Sequence, residues 1–262
     1  MRLTRQQTQS FIDDGYLIIR GAVPDVLVRT ARKAINHSLG EEGMDPAKMV
    51  SYRSLTYTPE LRDQPPILDL YHMTPLKQIA EQLLGEGKVA NVGGGQIGLR
   101  FPQAFDADIK QANGHLDGIG SGTNGSNVGD YKVGFNLLGA VYLSDVPEPF
   151  SGNFTVWPGS HRTFEDYFKK VGHEVLHQGQ PKIDLPHPPI HVTGKAGDVI
   201  IAHHQLFHTA APNHSDAIRY GIFFRIAHKA LPDFGNAAYT DIWNKFEGLH
   251  EQLGYKPETA NV

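Results

Sequence analysis

The chain changes character after Gly85, and that change limits the folds open to it. Downstream, five β-prone runs follow in series over residues 89–101, 133–143, 154–157, 198–202 and 218–227, separated by segments rich in Gly, Pro, Asn and Asp. Strands in series argue for a sandwich or barrel rather than for alternating βαβ units. The expected fold class is mainly β with flanking helices. The upstream part supplies the flank. Thr4 and Gln7 form a capping-box pattern ahead of a short helix that Gly15 ends. A β-prone stretch covers residues 16–20. Pro24 opens a second helix that Gly40 stops, and Thr74 with Pro75 opens a third that ends at Gly85. Residues 163–170 read as a helical insert. Residues 241–253 read as a C-terminal helix with Ile242, Phe246, Leu249 and Leu253 on one face. With no repeat and no linker, one domain is expected: a helical flank (1–85), a β core (86–230) and a C-terminal helical segment (231–262).

Composition narrows the function classes. The chain has 262 residues, a net charge of −4 and no cysteine. No basic surplus is available to neutralise phosphates, so nucleic-acid binding is not expected. Without cysteine, thiolate metal sites are excluded and any metal must use His, Asp or Glu. The first residues lack the apolar core of a signal peptide, and no apolar run reaches the length of a membrane span. A cytoplasmic location and no membrane partner are therefore expected. Fourteen histidines raise interest in metal chemistry.

His115 and Asp117 lie two apart in NGHLDG. On extended backbone, residues i and i+2 point to one face, so an imidazole and a carboxylate could meet one ion. By itself this pair reads equally well as a polar turn. His208, at the end of the strand-like GDVIIAHHQLFH, offers a second imidazole from a distant strand. Two His and one carboxylate occupy one face of an octahedron and leave the others open, the usual arrangement in non-haem Fe(II) oxygenases. A rival pairing, His204 with His208 as zinc ligands on a helix, conflicts with the β-branched run before it and with the missing Glu of an HExxH motif; His203 and His204 read instead as a strand end near the site mouth. Arg219, eleven residues past His208, carries a fork suited to a ligand carboxylate. The Gly/Ser/Asn-rich loop 118–130 and the proline-rich segment 178–189 read as mobile loops near the site.

HLD at 115–117, His208 and Arg219 at this spacing resemble the phytanoyl-CoA dioxygenase-like (PhyH) family of Fe(II)/2-oxoglutarate-dependent oxygenases. So do FIDDGYLIIRGAV (11–23), SGNFTVWPGSHR (151–162) and GDVIIAHHQLFHTAAPNHSDAIRYG (197–221). The resemblance spans about residues 10–228. It implies a double-stranded β-helix (a cupin-like jelly roll). It implies Fe(II) on His115, Asp117 and His208, with 2-oxoglutarate as co-substrate and O2 as oxidant. Arg219 would hold the distal carboxylate of 2-oxoglutarate, with Gln96 and Asn136 as further co-substrate contacts. The implied reaction is hydroxylation of a C–H bond of a small organic molecule, with succinate and CO2 as co-products. Relatives that halogenate have a small residue in place of the carboxylate, so Asp117 points away from halogenation. Two other functions stay open: a non-catalytic jelly-roll protein that binds metal or ligand, and a cupin-like metal enzyme that does not use 2-oxoglutarate. Arg219 favours the first reading, because a carboxylate clamp has no evident task without the co-substrate.

Overall fold

The computed structural model describes residues 1–120, 122 and 127–256. The N-terminal part runs α1 (Arg5–Asp14), β1 (Tyr16–Ile19), α2 (Asp25–Glu41), α3 (Met49–Ser54), α4 (Pro65–His72) and α5 (Pro75–Leu84). The β part follows as β2 (Gln96–Arg100), β3 (Leu137–Tyr142), β4 (Phe154–Val156), α6 (Ser160–Val171), β5 (Ile190–His191), β6 (Val199–His203), β7 (His208–Ala210) and β8 (Arg219–Ile226). Two short helices, α7 (Leu231–Phe234) and α8 (His250–Leu253), complete it. Local signals act where they stand. Thr4 Oγ1 accepts from the Gln7 amide at 3.2 Å while Gln7 Oε1 accepts from the Thr4 amide at 2.9 Å, so both orphan donors of α1 are met. Gly15 closes that helix in the left-handed region.

The strands form a five-stranded sheet of order β1-β6-β3-β8-β2 and a three-stranded sheet of order β5-β4-β7. Every pairing between these strands is antiparallel. Alternation divides each strand of the large sheet between two cores. Leu137 and Val141 of β3, Val199 and Ile201 of β6, Ile222 and Phe224 of β8, and Ile97 and Leu99 of β2 face the layer of α1, α2, α4 and α5. Leu138, Ala140 and Tyr142, with Ile200 and Ala202, face the small sheet and meet Phe154 and Val156 there. A third cluster, including Leu116, Phe164 and Phe168, lies under α6. On β2 and β8 the face opposite the helices carries Gln96, Gly98, Arg100, Arg219, Gly221, Phe223 and Arg225, and most of it lines a cavity rather than a core. No helix among the described residues is long and apolar enough to cross a membrane.

Two expectations change, and a third falls largely outside the described residues. The 89–101 run is a strand only from Gln96, with Val89 making a single bridge to His228. The centre of the 118–130 loop lies outside the described residues; its base is closed by an Ile119–Tyr131 bridge. The C-terminal helix expected over 241–253 is replaced by turns and the four-residue α8. Ile242, Phe246 and Leu249 are buried as anticipated, but the backbone at Gly248 passes so close to α5 that a Cβ there would lie 1.8 Å from the Gln82 carbonyl oxygen. Docking against α5, not helical periodicity, decides this segment.

Three histidines are buried behind the sheet: His161, His203 and His204. Their places correct the reading of His203 and His204 as residues of the site mouth. The His203 ring stacks on Phe246 at 4.9 Å and lies 4.3 Å from the His204 ring and 5.2 Å from that of His161. Its Nε2–H donates to the Ile242 carbonyl, while its Nδ1 accepts from the Gln205 amide, which is the pattern of a neutral ring. Burial holds His161 down to about 3 and His204 to about 4, and holds His203 well below its ordinary value. The unfolded chain protonates all three near pH 6.5, so their contribution to stability is complete above that pH and is lost progressively as the pH falls toward 4. Each can cost up to about 1.4 kcal/mol per pH unit, or about 4 kcal/mol per unit together. The melting temperature is expected to fall steeply between pH 6.5 and 5. Calorimetry across that range checks it, and a flat profile would mean that these rings titrate normally.

Candidate metal centre

Residues 101–136 connect β2 to β3, and on the way the chain passes β7. The His115 amide donates to the His208 carbonyl at 2.9 Å, and the His208 amide returns a bond to the His115 carbonyl at 3.1 Å. This one antiparallel bridge sets residues 115 and 208 directly opposite each other, with ring centroids 4.7 Å apart. HLD therefore lies in a loop anchored by a bridge, not in the strand expected for it. The alternation holds all the same. Leu116 is buried in the cluster under α6, and its amide donates to Gln180 Oε1. His115 and Asp117 line the cavity instead.

Asp117 Oδ1 lies 3.2 Å from His115 Nε2 and 3.8 Å from His208 Nε2. One ligand atom from each of the three residues falls within 4.8 Å of the others. His208 Nδ1 sits 2.9 Å from the Leu206 carbonyl. A carbonyl only accepts, so Nδ1 carries the proton and Nε2 presents its lone pair to the site. Burial and the neighbouring His115 hold His208 down to about 4, so the ring is neutral at pH 7. Burial alone would raise Asp117, but the hydrogen bond from His115, the His208 ring once protonated and the Arg225 charge hold it far below the usual carboxylate range. Two imidazole nitrogens and one carboxylate oxygen at this separation fit a divalent transition metal.

Arg225 was not singled out in the sequence. Its guanidinium donates to Asp117 Oδ2 at 3.0 Å and to Gln96 Oε1 at 2.8 Å. It thereby turns Oδ1 toward the two histidines. Its position could have been read from alternation: residues 219, 221, 223 and 225 share one face of β8. Gln96 lines the cavity, as expected of a site residue, but its amide oxygen is taken by Arg225.

Arg219 is 2% exposed and lines the same cavity. Its Nε donates to the Gly152 carbonyl at 2.7 Å and its Nη1 to the Gly98 carbonyl at 2.9 Å. No carboxylate pairs with it among the described residues. Burial, then the nearby Arg100, lowers it to about 9. Asn136 does not face the cavity. It is fully buried, and its Oδ1 accepts from the His228 amide at 2.8 Å. The co-substrate contact expected of Asn136 is corrected to a structural role: an amide fixed to buried backbone is not free for a ligand. Tyr142 is likewise internal, accepting from the Phe154 amide and donating to the Val192 carbonyl. Arg100 lines the cavity, whereas Phe101 packs on Tyr57.

A family model described as "Phytanoyl-CoA dioxygenase (PhyH)" matches residues 136–221. No curated protein sequence matches the chain. Among solved structures, the chain is similar to HygX from Streptomyces hygroscopicus with nickel and 2-oxoglutarate bound (TM-score 0.57, 18% identity, covering 87% of this chain and 88% of HygX). It is also similar to SnoK, a non-heme alpha ketoglutarate dependent carbocyclase from nogalamycin biosynthesis (0.54, 18%, 85% and 84%). SnoN, an epimerase of the same biosynthesis, is comparable (0.56, 19%, 85% and 81%). At these identities the likeness is one of fold. The match over residues 136–221 agrees with the family resemblance read from the sequence.

Proposed function

We propose that this protein is an Fe(II)- and 2-oxoglutarate-dependent oxygenase that hydroxylates a C–H bond of a small organic molecule. One observation carries the reading: a two-His, one-carboxylate set and a buried arginine with no carboxylate partner among the described residues open into the same cavity. His115 Nε2, Asp117 Oδ1 and His208 Nε2 would hold the ion. Bound iron would supply dioxygen activation coupled to conversion of 2-oxoglutarate to succinate and carbon dioxide. A buried guanidinium without a counter-ion is costly, and the distal carboxylate of 2-oxoglutarate would compensate Arg219. Arg225 orients Asp117, and Phe154, 5.3 Å from the His208 ring, walls the site with apolar surface. HygX, which shares the fold, has been crystallised with iron, and with nickel and 2-oxoglutarate. The same reading takes the two antiparallel sheets as the layers of a double-stranded β-helix, within one oxygenase domain. SnoK and SnoN are a carbocyclase and an epimerase; hydroxylation is taken here from the family resemblance.

Adding Fe(II) and 2-oxoglutarate without oxygen is expected to give a weak visible charge-transfer band, and admitting air should yield succinate. No band, together with unchanged metal content in His115→Ala, would overturn the proposal.

Glycine makes room for the clamp. Gly98 and Gly221 oppose each other on β2 and β8. A Cβ on Gly221 would lie 2.6 Å from Arg219 Nη1, and one on Gly98 would lie 2.7 Å from the Phe223 ring. Gly221→Ala is expected to displace the guanidinium and raise the 2-oxoglutarate requirement by roughly 10-fold, the scale of one charge-assisted bond. Metal content should stay at the wild-type level. Succinate formation against 2-oxoglutarate concentration checks this; an unchanged requirement would mean that the clamp lies elsewhere.

A further inference from the structure

The chain as a whole is acidic, with net charge −4, yet its cavity is strongly cationic. Among the described residues, five arginines line it (Arg53, Arg62, Arg100, Arg219 and Arg225) against a single carboxylate, Asp117. Arg225 is engaged by Asp117 and Gln96. Arg219 is assigned to the co-substrate. Arg53, Arg62 and Arg100 have no ion pair and no side-chain hydrogen bond among the described residues. A divalent ion and dianionic 2-oxoglutarate would cancel each other, which leaves about four positive charges facing one concave space. Uncompensated charge of one sign focuses potential in a cleft and recruits the opposite sign.

The three unassigned arginines come from two sides. Arg100 faces Arg219 across the β2–β8 ladder and is held below its ordinary value, mainly by burial. Arg53 lies in α3 and Arg62 just after the turn 59–61, both in the N-terminal flank. Arg62 is seated against the run Gly93-Gly94-Gly95. Its carbonyl accepts from the Gly95 amide at 2.9 Å, and a Cβ on Gly94 would lie 3.0 Å from its Nε. The cavity measures about 1250 Å³. That exceeds the roughly 300–1,000 Å³ usual for one drug-sized ligand, so a second molecule fits beside the co-substrate.

We infer that the primary substrate is a small organic anion, with its carboxylate or phosphate group held by Arg53 and Arg62, and Arg100 adding charge behind them. This rests on the oxygenase reading for the assignment of Arg219, but not for the charge of the cavity. Guanidinium forks bind both anion types in bidentate fashion, so the two are separated by experiment.

The test uses the full chain, anaerobic, with Fe(II) and 2-oxoglutarate, titrated calorimetrically with hexanoate, hexyl phosphate, hexanamide and hexylamine. At least one anion is expected to bind about 10-fold or more tightly than the amide, and the amine not at all. The better of the two identifies the headgroup. Arg53→Gln with Arg62→Gln should weaken anion binding by about 10-fold or more, with the 2-oxoglutarate charge-transfer band and iron content unchanged. Arg29→Gln with Lys33→Gln, on the outer surface of α2, should change nothing. Equal binding of amide and anions, no anion binding, or full anion affinity in the Arg53/Arg62 variant would each overturn the inference. Loss of the band in the wild type would instead overturn the oxygenase reading, and the same four titrations without 2-oxoglutarate would still test the cavity.

Discussion

Asp117→Ala is expected to leave the protein without iron and without 2-oxoglutarate turnover. Asp117 Oδ1 faces both histidine nitrogens, at 3.2 and 3.8 Å, and Asp117 is the only carboxylate lining the cavity among the described residues. Its removal leaves two imidazoles in a cavity lined by five guanidiniums. A dication would then enter against net positive charge with two ligands instead of three. The loss should exceed the roughly 10–100-fold that removal of a mere outer-shell partner costs. Asp117→Asn keeps the shape but not the charge and should behave alike, which separates electrostatics from packing. His208→Ala is expected to abolish turnover as well, because it removes the nitrogen whose lone pair the Leu206 carbonyl sets in place. Elemental analysis and succinate formation check all three. Wild-type metal content in any of them would move the centre away from these residues.

Arg219→Ala should leave iron in place and raise the 2-oxoglutarate requirement by roughly 10- to 150-fold, the range for a hydrogen-bonded charge pair worth about 1.5–3 kcal/mol. A thermal measurement gives an independent check. Co-substrate at 100 times its dissociation constant stabilises by about 2.7 kcal/mol, a rise of roughly 5–10 °C in melting temperature for a chain of this size. At the same concentration the variant should lose about half of that rise for a 10-fold weaker affinity and about nine-tenths for a 150-fold weaker one. Wild-type affinity in Arg219→Ala would assign the co-substrate carboxylate to Arg100, its cross-strand neighbour.

Much of the site could be read along the chain because its signals are local or strictly spaced. The pair at 115 and 117 shares a side because only Leu116 separates them, and this survives even though a loop, not a strand, carries them. Arg219 falls on the cavity side of β8 by alternation, and the same rule applied to residue 225 would have found the partner of Asp117. Asn136 shows where the rule stops. Alternation names a face, but the His228 amide decides where that side chain is used. His203 and His204 failed for the opposite reason. Polar residues at a strand end read as a site mouth, whereas Trp243 and Phe246, some forty residues later, cover His203, and the His204 ring lies against it. β7 is three residues long, too short for any periodicity to show.

The sequence by itself determined the caps of α1, the inward and outward faces of β2, β3, β6 and β8, and the three residues able to bind a metal. Each is set by neighbours within a few positions, or by side-chain chemistry alone. Only the tertiary structure decided that His115 stands opposite His208, that Arg225 turns Asp117, and that the 241–253 segment gives up its helix to pack on α5. It also decided the sign of the cavity. Five arginines spread from position 53 to 225 in a chain of net charge −4 reveal nothing until folding brings them around one space, because electrostatic potential depends on distance in space and not on separation along the chain.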